Sequence, residues 1–542
     1  MQRSEQGRLT ALLLAVVAVL GGLPLLKGGF YLGKHEGDTL HMTEIVLRMA
    51  RGQWPHLDFM TPIGVLAAAP IAWFVHMGAG IGHAIFYAQI LVALILLPAT
   101  VRVASSRIEG PIGWLYAAFV MVFCLALVHG EAERSVSISM HYNRWAWAIT
   151  YIIVPLVMLA PRDGQARPRL DGAIIGLGMA ALLLIKATYF VSLAPAVLIG
   201  LLVRRWWASL GAAVIAGLGV AALITALAGV GFWMAYLGDL LTVARSDIRP
   251  QPGEPFGVIA AAPAYMGASL TMLATVIFLR QAGRMTEGLL LLILMPGFLY
   301  IVFQNFGNDP QWLMLLAMLA FVLRPEPGAL NGWGWDMRQA LSYAAALAVA
   351  FGFPSAINLA YSPFRHMASD TAETVPLLPH LAQHHDIFAI GSRLYRVDFT
   401  RSGDGPGTDF AAYRPLGKRD KEIASLNGET LPECTMASGM LSWFEVVSAD
   451  LEKAGYGGKG ILGTDLFSFY WMFGDFRPVK GAAPWYYGGL SGLADADYVL
   501  VPLCPMAPEI RAGMLKDLAA SGRTLHEVRR TGLYILLETK AP

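Results

Sequence analysis

This chain has little charge. Only 14% of its 542 residues are Asp, Glu, Lys or Arg, against 56% hydrophobic, and mean hydropathy is +0.53. A soluble globule of this length has no need of so much apolar sequence. The composition therefore points to a chain that crosses a membrane many times. The sequence has no Lys/Arg-rich run and no Cys/His metal spacing, and its formal charge is only +2, so nucleic-acid binding is discounted. Cysteine is scarce too, with three in all. Cys124 lies in an apolar run and reads as a buried small residue. No small-x-small cleavage site follows the first apolar stretch, 9–26, which reads as a membrane helix rather than a removed leader. Internal repeats and low-complexity segments are also absent.

What is present is a succession of apolar runs. About eleven read as membrane spans, each crossing needing roughly 20 apolar residues: 9–26, 81–101, 112–129, 145–160, 171–186, 188–203, 209–232, 264–279, 288–304, 311–323 and 339–358. The basic residues Arg3/Arg8, Arg102/Arg107, Arg162/Arg167/Arg169, Arg204/Arg205, Arg280/Arg284 and Arg324/Arg338 fall on alternate connections. These groups agree in sidedness only if the apolar run 62–78 does not cross, so it is expected to be juxtamembrane or re-entrant. With the N-terminus inside, the loops 27–80, 130–144, 233–263 and 305–310 lie outside, as does the tail. The expected organisation is an all-α polytopic membrane domain over 1–359, with juxtamembrane helices, and a small soluble α/β or α+β domain over 360–542. In that tail 498–503 reads as a strand, 507–520 as an amphipathic helix and 524–539 as a strand pair turning at Thr531-Gly532. Cys434 and Cys504 are the only cysteines there. An outer compartment oxidises thiols, and one intramolecular pairing exists, so a disulfide between them is expected. The other reading is two buried free thiols.

The densest chemistry lies in 34–77, KHEGDTLHMTEIVLRMARGQWPHLDFMTPIGVLAAAPIAWFVHM. Met42, Ile45, Val46, Met49 and Ala50 recur at three- and four-residue steps and predict an amphipathic helix lying along the membrane surface. Glu44 and Arg48 fall four apart on its other side, in reach of one another. Asp38 stands just before this helix. It suits a helix N-cap, and it equally suits a general base for an acceptor hydroxyl, since a carboxylate within hydrogen-bond reach can take that proton. Glu36 is placed to assist, and a divalent metal at this acidic site is left open. Asp58 reads as a turn acid or as part of the site lining.

Other outer segments add candidates. The second outer loop supplies Glu131, Glu133, Arg134, His141, Asn143 and Arg144. Arg144-Trp145 also suits simple anchoring at the membrane boundary. Lys186 interrupts LLLIKATYF; an ionisable residue at that depth is costly and needs a partner, a lipid phosphate or the interface itself. Asn308 and Asp309 lie in a polar turn, 304–310, that turn chemistry alone explains but that also faces the outer compartment. The run Trp485-Tyr486-Tyr487 suits a sugar platform or a small-domain core.

This layout resembles a known one. A first span, an outer loop with an acid near its start, an amphipathic helix, Gly52-Gln53-Trp54-Pro55, Leu57-Asp58-Phe59 and a second helix led by Pro62 are similar to the C-type (GT-C fold) membrane glycosyltransferases. Examples are the protein mannosyltransferases and lipid A aminoarabinose transferases, which use polyprenyl-phosphate sugars. The resemblance covers roughly the first 200 residues, by layout more than by strict motif. It implies that Asp38 is the catalytic carboxylate and that Lys186 matches a lysine at the outer end of the fifth span. The chain departs from the pattern in three places. Gly37-Asp38-Thr39 stands for an Asp-Glu pair, Met60-Thr61-Pro62 for Lys-Pro-Pro, and a second-loop Asp is missing. The reading that follows is an inverting glycosyltransferase on the outer face of a bacterial inner membrane. It would move a sugar from a polyprenyl-phosphate donor to a glycan, lipid or protein acceptor. Glu36, Asp58, Arg134, His141, Asn143, Arg144, Lys186, Asn308 and Asp309 would be the substrate-binding set. A transporter or lipid flippase, and a non-catalytic protein of envelope polysaccharide assembly, are the alternatives.

Overall fold

The computed structural model describes residues 2–130, 132–162, 164–246, 255–305, 308–405, 407–417 and 423–540. Long apolar helices fill its first two thirds: α1 (Gln2–Leu25), α4 (Ile81–Arg107), α5 (Gly110–Leu125), α6 (His141–Met158), α7 (Pro168–Ile185), α8 (Ala187–Val203) and α9 (Trp207–Ala228). After α10 (Gly231–Ala244) and the short α11 (Phe256–Ala261) come α12 (Pro263–Gln281), α13 (Met285–Gln304), α14 (Leu313–Val322) and α15 (Met337–Ala368). Two shorter helices, α2 (Glu36–Ala50) and α3 (Ala69–His76), lie between α1 and α4. Among the described residues seven helices are long and apolar enough to cross a bilayer: α1, α4, α7, α9, α12, α13 and α15. The other four of the eleven expected spans are helices of 16 (α5), 18 (α6), 17 (α8) and 10 (α14) residues. The chain is thus a multi-pass, mainly helical membrane protein. The run 62–78 forms a three-residue 3-10 turn and the eight-residue α3. At 1.5 Å per residue α3 cannot cross a hydrocarbon layer about 30 Å thick.

Close helix packing follows from small residues. Gly172 and Gly176, one turn apart on α7, lie so near Ser209 and Ala213 of α9 that an added Cβ would sit 2.2 and 2.1 Å from their carbonyl oxygens. Within a membrane, where apolar burial does not favour helix over lipid, such close backbone approach is what holds helices together.

The C-terminal region is built on small sheets. Strands β2 (Thr374–Pro376) and β3 (Ile387–Ile390) are followed by α16 (Gly391–Tyr395) and β4 (Asp398–Arg401), then by the hairpin β5 (Ser425–Leu426) and β6 (Glu429–Thr430). Next come β7 (Cys434–Ser438), α17 (Met440–Lys453), β8 (Ile461–Gly463) and α18 (Tyr470–Phe473). The chain closes with β9 (Tyr498–Pro502), α19 (Pro508–Ala520), β10 (Thr524–Arg530) and β11 (Tyr534–Lys540). The main sheet has the order β10-β11-β9-β8, with β8 parallel to β9 and the rest antiparallel. Cys434 and Cys504 form a disulfide with Cα atoms 4.8 Å apart, within the usual bridging range.

Two sequence expectations change. The expected boundary at 359/360 falls inside α15, which runs on to Ala368 because polar residues carry it past the apolar run: Arg365 donates to Asn358 Oδ1 at 2.7 Å. The two regions are also not separable at the backbone. β1 (Phe30–Leu32), between α1 and α2, pairs in parallel with β3, so one three-stranded sheet joins the segment after the first helix to the start of the C-terminal region.

Candidate functional site

The site begins on α2. Its apolar stripe is where the spacing put it, but the opposite face is covered as well, and Thr39 to Arg48 are all buried. Arg48 donates to Glu44 Oε1 at 2.9 Å, and Trp471 Nε1 of the C-terminal region donates to the same oxygen at 2.9 Å. Arg48 also donates to the Val479 carbonyl at 3.1 Å. The Glu44–Arg48 pair, expected on the other side of the helix, lies beneath this second layer.

Asp38 is not the N-cap. That position is His35, in the left-handed region at φ 68°, and Asp38 is the third helical residue, inside the first turn. A carboxylate there is favoured by the helix's positive end. His35 Nδ1 meets Ser137 Oγ at 3.1 Å, so the segment after α1 and the segment between α5 and α6 join here. Its ring lies 4.8 Å from that of His129, and Asp38, Glu36, Glu133 and Lys34 are its charged neighbours. Burial lowers the His35 pKa, against the raising effect of Asp38. His129 Nε2 in turn lies 3.4 Å from Asn308 Nδ2.

Asn308 opens onto a small polar cavity that it shares with His129, Asn143, Arg144, Asn305, Asp309 and Gln311. Asn143 Nδ2 donates to Asn305 Oδ1 at 3.3 Å. Lys186 sits just behind, at the break between α7 and α8. Its Nζ donates to Asn305 Oδ1 at 2.5 Å and to Asn143 Oδ1 at 3.5 Å, and lies 5.7 Å from the Tyr142 ring centre. A succession of neighbours thus leads from Asp38, which acts electrostatically on His35, through the His35–His129 ring contact to Asn308, Asn305 and Lys186. Loop-to-helix contact keeps the two ends in register. Gly64 N–H donates to the carbonyl of Ile185 at 3.0 Å, and a Cβ on Gly64 would sit 2.2 Å from the Leu184 oxygen, so only glycine fits this approach.

Next to Lys186 an apolar groove of about 400 Å³ runs between α7, α8 and α9. Leu183 and Leu184, just before the lysine, line it with Met179, Phe190 and Trp233.

The remaining candidates lie elsewhere. Arg393 donates to both Glu36 oxygens, at 2.6 and 3.0 Å. Partial burial works to raise the Glu36 carboxyl, but these bonds and its own helix N–H together hold it below the ordinary range. Asp58 accepts from Trp54 N–H at 2.8 Å, lies 3.4 Å from Lys480 and serves a turn against the C-terminal region. Arg134 is exposed, within electrostatic reach of Arg365. His141 Nε2 bonds the Ala67 carbonyl at 2.8 Å and ties α6 to the first outer loop. Asp309 accepts from Ser355 and from the Ala132 backbone, and burial raises its pKa. Glu133 pairs with Lys34 at 2.8 Å, which holds it down. Glu131 lies outside the described residues. Among the described residues no three His, Cys, Asp or Glu side chains gather as a metal site.

Three participants escaped the sequence reading. His129 and Asn305 stood in segments already singled out and could have been found there. Asp239 could not: it is one acid in apolar α10, and it pairs with His56 Nδ1 at 2.8 Å and accepts from Thr61 N–H at 3.1 Å.

The fold thus defines a class, a multi-pass helical membrane protein with a small α/β C-terminal region. No family model matches the sequence, and no curated protein matches it.

Proposed function

We propose that the protein is a membrane glycosyltransferase that takes a sugar from a polyprenyl-phosphate donor, with Asp38 as base and Lys186 as the phosphate contact. The observation that carries this reading is the setting of Lys186. A cation held, among the described residues, by two amide oxygens and a ring face stands where an apolar groove ends. An amphiphile with one anionic head and a long hydrocarbon tail is complementary to both parts. In the reaction the acceptor hydroxyl oxygen bonds to the sugar's anomeric carbon as the bond from that carbon to the phosphate oxygen breaks. The hydroxyl proton goes to Asp38, and the polyprenyl phosphate departs as an anion stabilised by Lys186. Arg144 faces the small cavity instead and Arg134 is exposed, so the phosphate contact rests on Lys186.

This reading places the site and the C-terminal region on the outer face of a bacterial inner membrane, with the N-terminus cytoplasmic and eleven crossings. The Cys434–Cys504 disulfide supports an oxidising compartment for that region. A topology reporter fused after Gly80 should then behave as outside and one after Arg107 as inside; the reverse at Arg107 would overturn the orientation.

Purified protein in vesicles, given labelled polyprenyl-phosphate sugar and an envelope extract, tests the activity. Label should move to acceptor and should stop doing so in Asp38→Asn. Movement of intact donor across the bilayer, undiminished in Asp38→Asn, would assign a transporter instead.

A further inference from the structure

Arg144 presents a problem that its place beside the donor site does not resolve. The residue is 2% exposed, and its Nη1 donates to the Val128 carbonyl. Its Nε and Nη2 are buried without a hydrogen-bond partner among the described residues. A guanidinium out of water and short of partners costs several kcal/mol unless a negative charge offsets it. Among the described residues the cavity it lines offers one acid, Asp309, whose carboxylate accepts from the Ser355 hydroxyl and the Ala132 N–H. The other polar lining is neutral: Asn143, Asn308, Gln311 and His129. Asn308 Nδ2 lies 3.4 Å from His129 Nε2 and 3.8 Å from the Met140 sulfur.

Size decides what fits. The cavity measures about 20 Å³, room for one water-sized particle, whereas a phosphate or sugar needs several times more. We propose that this cavity is a binding site for a single monatomic anion of the size of chloride, held by Arg144. A water would fill the same space without neutralising the guanidinium. The site stands whether or not the protein transfers sugar. Its role is to fix the start of α6, and with it the Asn143 side chain that meets Lys186.

Thermal unfolding of the purified full-length protein tests this. At constant ionic strength, sodium gluconate is replaced stepwise by chloride or bromide. The wild-type Tm should rise saturably by a few degrees, as ligand linkage requires, and Arg144→Gln should lose the response. Equal Tm in gluconate and chloride, or a response that survives in Arg144→Gln, would overturn the site. Glu131 adjoins the lining residue Gly130. If wild type shows no response and Glu131→Gln gains one, the counter-charge is Glu131 and the proposal fails. Should Arg144→Gln not fold, anomalous scattering from wild-type crystals grown in bromide decides: a peak beside Arg144 supports the site, and its absence refutes it.

Discussion

Asp38 sits where loss of its charge should barely affect folding. A carboxylate in a helix's first turn contributes about 0.3–1 kcal/mol through the dipole. A general base contributes about 10²–10⁴-fold to rate. Asp38→Asn should therefore lower transfer by at least ~100-fold while the unfolding midpoint moves little; transfer at the wild-type rate would remove the catalytic role. Lys186→Ala should cost about 10²–10³-fold, as loss of one donor to a developing anion does, with Lys186→Arg recovering part. Donor binding left unchanged by Lys186→Ala would end the phosphate assignment. Both residues were legible in the sequence, because an acid after a membrane span and a lysine inside an apolar run break a strong local pattern. His56 was only half legible: its partner Asp239 lies 183 residues on, and no local spacing connects them.

At the scale of elements, α2 shows how far pattern reading reaches. The steps from Met42 to Ala50 gave the helix and its buried stripe. They could not give the second burial, because Trp471 and Val479, which cover Glu44 and Arg48, lie more than four hundred positions away. Side chains of this ion pair are 1% and 2% exposed. Removing one partner of such a pair costs about 3–5 kcal/mol, while replacing both by apolar side chains of similar volume costs far less. Glu44→Ala should thus destabilise strongly in chemical denaturation, and Glu44→Leu/Arg48→Met should be milder. Equal losses would show that packing, not the uncompensated charge, sets the cost.

Considered whole, the molecule carries a strongly shifted acid in its C-terminal region. Asp465 is buried and accepts from the N–H groups of Leu466, Met506 and Ala507. Burial raises its pKa to about 6, against those bonds. The sign follows from linkage. Between the ordinary value of 3.8 and about 6, the folded state holds a proton that the unfolded chain has released, so stability falls as pH rises through that window. Asp465→Asn should flatten this part of the stability–pH curve of the C-terminal region, and an unchanged slope would place the titration elsewhere. Composition made the division into apolar and polar parts legible. The shared β1–β3 sheet was not, since three residues of strand at 30–32 carry too little pattern to announce a partner.

That sheet also sets a timetable. Leu32 pairs with Ala389, and the cover over α2 comes from still later residues. A ribosome adding about 5–20 residues per second needs roughly 20–70 s to span the interval. Through that time the helix bearing Asp38 has left the translation channel without its strand partner or its roof, and Glu44 and Arg48 face water. Nascent chains stopped at Ala368 should contain every membrane helix and yet no assembled outer site, so competence arrives only with the last third of synthesis.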